Sequence, residues 1–409
     1  MLSRFPFLPG GLALFATACA MPQTGLRRTT PIDHTVLRGE QLHTERQIVE
    51  EREIQLLTVF GNVAMLENRP MAVQLTSVLE APIVEGTALR ITRLVQQNHI
   101  LVAAYASPDG RALGALALID VSDPESPVLR GELQFPEMSV ASVALDGSQL
   151  YFAGSNGNPA AGAAVGRISI QGFEWQDDLK IQNLDMSAVS ALTVLGEKVW
   201  LLDRSQGQLV GLHKKDWVVS SQVSVPGLIQ IGRDATSLWA LRETQILQLD
   251  SDLQVKANFT TDGTMPAGIA PGPIRVGQET VMEAIGDGGV RAFCQADQKA
   301  LYHVPAVVRA ELDPQRTQTR DAALSAGLLV TANADAGVYL YSVSTEVKGS
   351  ACKDRRLQVE GYLNLGKDFQ AETLNWQQDV LSVGDGQGRL NLFFIDRDNM
   401  ITDDTDFNG

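Results

Sequence analysis

Eight times between residues 63 and 380 the chain repeats one arrangement: a short apolar run, a turn rich in Gly, Asn, Asp or Pro, and a second apolar run. Counted from the first apolar pair of each copy, the repeats begin at Val63, Leu101, Leu150, Val199, Leu238, Val281, Leu329 and Val380. The mean spacing, (380 − 63)/7, is about 45 residues, the length of a four-stranded propeller blade. A helical solenoid of similar period needs apolar residues every three to four positions. Here the runs are short, rich in Val, Leu, Tyr and Trp, and punctuated by turn formers, which is hairpin chemistry. A sheet this thin cannot bury both faces alone, so neighbouring copies must cover it. The expected fold class is therefore all-β, a β-propeller. Eight blades is the favoured count, the ring closed by a strand near "RQIVEEREIQLL" (46–57). Seven is the alternative, with "AVQLTSVLEAPIVEG" (72–86) as the outer strand of the last blade. Closure either way removes long unpaired edges.

The clearest copy is "ALALIDVSDPESPVLRGEL" (115–133). In an extended strand Leu116 and Leu118 point to one side and Ala117, Ile119 and Val121 to the other, so neither face tolerates water. A middle strand between two blades has that requirement. Asp120, Ser122 and Asp123 offer acceptors to the turn, while Pro124 and Pro127 block continuation of the ladder. Val128–Leu133 then alternates as a half-exposed outer strand should. This stretch resembles an LVIVD repeat, an apolar strand followed by a DVSDP-x-x-P turn. "GVYLYSVS" (337–344) and "LNLFFID" (390–396) match in part. The resemblance implies an extracytoplasmic propeller and assigns no chemistry.

The N-terminus reads as an export signal. Arg4 gives a basic start, Phe5–Phe15 an apolar segment, and "ATACA" (16–20) a small-residue processing site. The apolar run is too short for a membrane span and holds Pro6, Pro9, Gly10 and Gly11. Phe15–Cys19 resembles a lipobox that makes Cys19 the lipidated terminus; Ala18-Cys19-Ala20 equally suits ordinary cleavage. Ala20 after the cysteine resembles the outer-membrane sorting pattern. The expected organisation is a lipoprotein-type signal over 1–19, a flexible polar tether over 20–46, the propeller over 47–400 and an acidic tail over 401–409. In an oxidising compartment Cys294 and Cys352 are expected to form a disulfide closing a loop of 352 − 294 = 58 residues.

The net charge of −15 repels polyphosphates, and the densest basic spots, "LRR" (26–28) and "HKKD" (213–216), read as solvated loops, so nucleic acid is excluded as a partner. The five histidines, His34, His43, His99, His213 and His303, are isolated, with no nucleophile elbow or zinc motif beside them. "GDGGV" (286–290) and "GDGQG" (384–388) read as hairpin turns rather than phosphate loops. One metal signal remains: Asp404, Asp406 and Asn408, at alternate positions before Gly409, carry a weak calcium expectation. The functional expectation is a non-catalytic cell-envelope lipoprotein, facing the periplasm or the cell surface, whose propeller binds protein or glycan. The alternative is an envelope hydrolase or lyase with a metal-bound water in the channel.

Overall fold

The computed structural model describes residues 32–38, 47–54 and 72–396, apart from 243–244, 251, 261–271, 278, 297, 326, 347–351, 353, 364 and 367. The N-terminal strands are β1 (Thr35–Arg38), β2 (Gln47–Ile54) and β3 (Ala72–Leu79), followed by a small hairpin of β4 (Ile83–Val84) and β5 (Thr87–Ala88). Blade 1 holds β6 (Arg90–Gln97), β7 (Ile100–Ala106), β8 (Gly114–Asp120) and β9 (Val128–Phe135). Blade 2 holds β10 (Ser142–Asp146), β11 (Gln149–Ser155), β12 (Ala163–Gln171), a short β13 (Glu174–Trp175) and β14 (Lys180–Leu184). Blade 3 is β15 (Ala191–Leu195), β16 (Lys198–Asp203), β17 (Gln208–His213) and β18 (Val219–Ser224). Blade 4 is β19 (Leu228–Arg233), β20 (Leu238–Arg242), β21 (Gln245–Leu249) and β22 (Val255–Thr260). Blade 5 is β23 (Arg275–Val276), β24 (Thr280–Ala284), β25 (Val290–Cys294) and β26 (Ala300–Val304). Blade 6 is β27 (Asp321–Ser325), β28 (Leu328–Ala332), β29 (Val338–Glu346) and β30 (Asp354–Leu363). Blade 7 takes β31 (Ala371–Gln377), β32 (Val380–Asp385) and β33 (Leu390–Asp396) from the C-terminal end.

The fourth strand of blade 7 is β3, paired antiparallel to β33 with Val73 opposite Ile395 and Leu79 opposite Leu390, and β2 adds a fifth strand outside it. The ring therefore has seven blades, which corrects the favoured count of eight. The reason is the exposed ladder of β33, which needs a partner and finds it in "AVQLTSVL". "APIVEG" supplies only the β4–β5 hairpin, and the copy anchored at Val63 lies outside the described residues. The other seven anchors, Leu101, Leu150, Val199, Leu238, Val281, Leu329 and Val380, all fall in the second strand of a blade, and each is almost completely buried.

Seven hydrophobic clusters among the described residues coincide with the seven blade interfaces. Period-two alternation makes this possible: on β8, Ala115, Ala117 and Ile119 pack toward blade 7, while Leu116 and Leu118 pack toward blade 2. The cluster joining blades 7 and 1 is as well filled as the rest, with Val380, Leu390 and Leu392 against Leu101 and Tyr105. Each Leu so buried contributes about 1.5–3 kcal/mol relative to exposure. Two large aromatics find room by facing glycine across the ladder, Phe152 opposite Gly166 and Trp200 opposite Gly211. A methyl group at Gly166 would sit 2.1 Å from the Phe152 ring.

On β9, Leu129, Glu132, Leu133 and Phe135 are buried, more than a half-exposed edge strand allows, because β1 pairs outside it. Thr35–Arg38, within the stretch read as tether, is thus a strand of blade 1.

Candidate functional site

The first strand of each blade lines the axis, and its polar side chains reach the neighbouring blade. The Thr92 hydroxyl donates to the Val140 carbonyl (2.7 Å), and the Leu192 amide donates to the Ser142 hydroxyl (3.0 Å). Further round, the Gln230 amide donates to the Gly272 carbonyl (3.2 Å), and Asn375 donates to the Gln96 side chain (3.0 Å) to join blades 7 and 1. Arg275 does most: its guanidinium donates to the carbonyls of Ala322 (3.1 Å) and Leu374 (2.8 Å) and to Asp321 (3.4 Å), so one side chain spans blades 5, 6 and 7. Asp321 also accepts from the Ala322 amide (2.8 Å), the Thr373 hydroxyl (3.0 Å) and the Leu374 amide (3.0 Å). A carboxylate with four donors around it tolerates full burial.

Two charged side chains at the same place are not used in this way. Glu283, on β24, is 1% exposed, and neither of its carboxyl oxygens has a hydrogen-bond partner among the described residues. Burial, reinforced by the negative charge of Asp321, pushes its carboxyl well above the usual carboxylate range, against the pull of Arg93 and Arg275. Arg93, on β6, is enclosed by protein yet keeps some accessible surface, and burial lowers its guanidinium to about 10 against the pull of the Asp321 carboxylate, with the positive charge of Arg275 adding to the lowering. Glu283 reaches the axis because β23 is only two residues long, so the second strand of blade 5 abuts β27. Near the strand starts, Glu372 lies 3.6 Å from Arg320, and burial raises its carboxyl against the pull of Arg320 and Arg90. Among the described residues, no three His, Cys, Asp or Glu side chains are grouped so as to hold a metal ion.

Away from the axis, an open cavity of about 550 Å³ lies between blades 2 and 3, lined by Gly162, Asp185, Ser187, Asp203, Gln206 and Gln208 among others. Asp203 is fully buried there, accepting from the hydroxyls of Ser187 (2.5 Å) and Ser205 (2.6 Å). Those bonds hold its carboxyl below the ordinary value although burial alone would raise it.

Of the residues singled out in the sequence, Cys294 and Cys352 are joined in a disulfide that ties the third strand of blade 5 to the segment between β29 and β30. Cys19, Asp404, Asp406 and Asn408 lie outside the described residues. The DVSDP turn forms as the residues dictate: Asp120 accepts from the amide (3.0 Å) and hydroxyl (2.7 Å) of Ser122, and Asp123 accepts from the Glu125 amide (3.1 Å). Arg130 closes this turn from the next strand, 2.7 Å from Asp120. Gly286–Gly289 and Gly386–Gly388 lie in hairpin turns, with Gly289 and Gly388 at φ of 74° and 85°. "HKKD" is less solvated than expected, since Lys214 pairs with Asp146 and links blades 3 and 2. His99, His213 and His303 are exposed.

Sequence reasoning missed Arg93, Arg275, Glu283 and Asp321. Glu283 alone left a signal, a carboxylate inside the otherwise apolar strand "TVMEAI".

No protein-family model and no curated protein matches this sequence. In fold, the chain is similar to the WD40 domain of Pan2 from Neurospora crassa, with 10% identity, a TM-score of 0.53 and coverage of 75% of this chain and 89% of that one. It is also similar to U3-55K, with 13% identity, a TM-score of 0.55 and coverage of 78% and 98%. In all, 821 solved chains match, so the fold by itself singles out no function.

Proposed function

We propose that this is a non-catalytic propeller scaffold of a bacterial cell envelope, of the LVIVD-repeat type, held to the outer membrane through Cys19 and binding protein or glycan at a loop face. The observation that carries the binding reading is the construction of the axis. Arg275, Asp321, Gln230, Gln96 and Asn375 are committed to bonds between blades, which makes the ring a rigid support and leaves its variable chemistry to the loops. Metal-assisted hydrolysis finds little support in the same place, because Asp321 and Glu283 are interleaved with Arg93 and Arg275, whose charges repel a cation. The open cavity between blades 2 and 3, with its polar lining, is the face on which we place the partner.

A lipid on Cys19 constrains how that face is presented. Ile32 is buried between blades 1 and 2, so the anchor and the body are only 32 − 19 = 13 positions apart along the chain. Fully extended, that stretch reaches about 45 Å, which keeps blade 1 near the bilayer.

Two measurements test the reading. Metabolic labelling with an alkyne fatty acid should mark the wild type in the outer-membrane fraction and leave Cys19→Ser unlabelled. A photo-crosslinking residue at Gln206, which lines the cavity, should give one defined adduct in intact cells, while one at Lys256 on the outer edge of blade 4 should not. An unlabelled wild type sinks the anchor, and identical adduct patterns at both positions sink the binding face.

A further inference from the structure

The chain covers the outer edges of two blades with its own strands. β1 pairs with β9 of blade 1, and β2 pairs with β3 of blade 7. β9 carries a one-residue bulge at Arg130, and β1 pairs with 131–134, directly after it. β18, the outer strand of blade 3, is built the same way: its bulge falls at Ser220, and 221–224 follow. Yet β18 ends its sheet, with no strand beyond it among the described residues. A row of unpaired amides and carbonyls is a template for another strand, and proteins guard such edges with charge or proline. The outer strands of blades 2, 4, 5 and 6 carry Lys180, Lys256, His303 and Glu360, and Pro305 follows β26. β18 carries no titratable residue, and none occurs anywhere from 217 to 232. It also holds Val219 52% exposed to solvent.

We propose that the free edge of β18 takes up an extended segment of a partner protein as a fifth strand of blade 3. The occupant of the equivalent edge of blade 1 is "TVLR", which shows the chemistry that such an edge accepts: β-branched and apolar side chains, without an acid. The net charge of −15 disfavours both an acidic segment and a second copy of this chain. At its far end β18 meets the open cavity between blades 2 and 3. Ser224 stands opposite Gln208, which lines that cavity, and the Val225 amide donates to the Gly207 carbonyl (2.7 Å). A strand added to β18 therefore runs directly to the cavity. The proposal deepens the loop-face reading, on which it rests for the partner's course into the cavity, and names that partner as polypeptide. Main-chain bonds supply the affinity in this mode and the alternate side chains the selectivity.

The test is hydrogen exchange on the purified full-length protein with a blocked peptide of alternating threonine and valine that ends in two lysines. At saturating peptide, outward-facing amides within 221–224 should exchange at least about tenfold more slowly, while β22 is unaffected. The same peptide N-methylated along the edge that meets β18 should give no protection. Val219→Lys with Gln222→Lys, at two exposed positions, guards the edge with charge and should abolish protection without moving the thermal melt. No slowing, equal slowing by the methylated peptide, or equal slowing at β22 overturns the proposal. Slowing without peptide that grows with protein concentration assigns the edge to a second copy and overturns it too. None of these readouts involves Cys19 or the adduct at Gln206, so the loop-face reading stands or falls separately.

Discussion

Replacing Arg275 by Met keeps the apolar stem and removes the donors that join three blades. The Ala322 and Leu374 carbonyls, at 3.1 and 2.8 Å, and Asp321, at 3.4 Å, each lose a bond. Breaking a buried charged pair costs about 3–5 kcal/mol, but two features place this case near the lower end. Asp321 keeps its three other donors, and the Arg275 side chain is 27% exposed, so solvent already screens part of the attraction. The expected loss is about 3 kcal/mol. Urea denaturation followed by fluorescence of the buried Trp200, Trp239 and Trp376 measures it, with Asp321→Asn and the double variant completing a cycle. The double variant should be less destabilised than the sum of the singles by about 1–2 kcal/mol, because the two residues share one network. A loss under about 1 kcal/mol for Arg275→Met, or strict additivity, would refute the claim that axial charges hold the blades together.

The remaining expectations are independent of that one. Cys294→Ala with Cys352→Ala opens a loop of 58 residues and should cost about 4 kcal/mol on the chain-entropy account, read as a shift of the urea midpoint that reductant reproduces in the wild type. Glu283 binds its proton more tightly when folded, so the wild type should lose stability as pH rises from the unfolded carboxylate pKa toward the raised folded one. Glu283→Gln should therefore match the wild type near pH 4 and exceed it near pH 8, the gap growing by at most about 1.4 kcal/mol per pH unit; thermal melts that keep one difference at every pH would count against this. Gly166→Ala drives a methyl group into the ring of the fully buried Phe152 and should cost about 1–3 kcal/mol, and a thermal melt left unchanged by the substitution would count against this packing.

The blades were legible because the second strand of each is buried on both faces, which forces an unbroken apolar run that no turn or edge imitates. Leu101, Leu150 and Val380 mark such strands directly. The count was not legible, because it depends on whether Ala72–Leu79 pairs with a following strand or with β33, more than 300 residues away, and its local pattern suits both. The axial residues were hidden for a related reason. Arg93, Glu283 and Asp321 are ordinary charged residues in sequence, and only the order of blades around the ring brings them together. Lys214 shows the same limit on the outside, where a basic run read as solvated meets Asp146 on the neighbouring blade.

Closure of the ring by an N-terminal strand can be tested directly with the double variant Gln74→Cys, Phe394→Cys, whose two positions stand opposite each other in the β3–β33 register and are 394 − 74 = 320 residues apart. A short bis-maleimide should link the two introduced thiols within one chain and yield the corresponding cross-linked peptide in high proportion. Failure to link, or linkage of the thiol introduced on β3 to a cysteine placed in blade 1 instead, would contradict a seven-bladed ring.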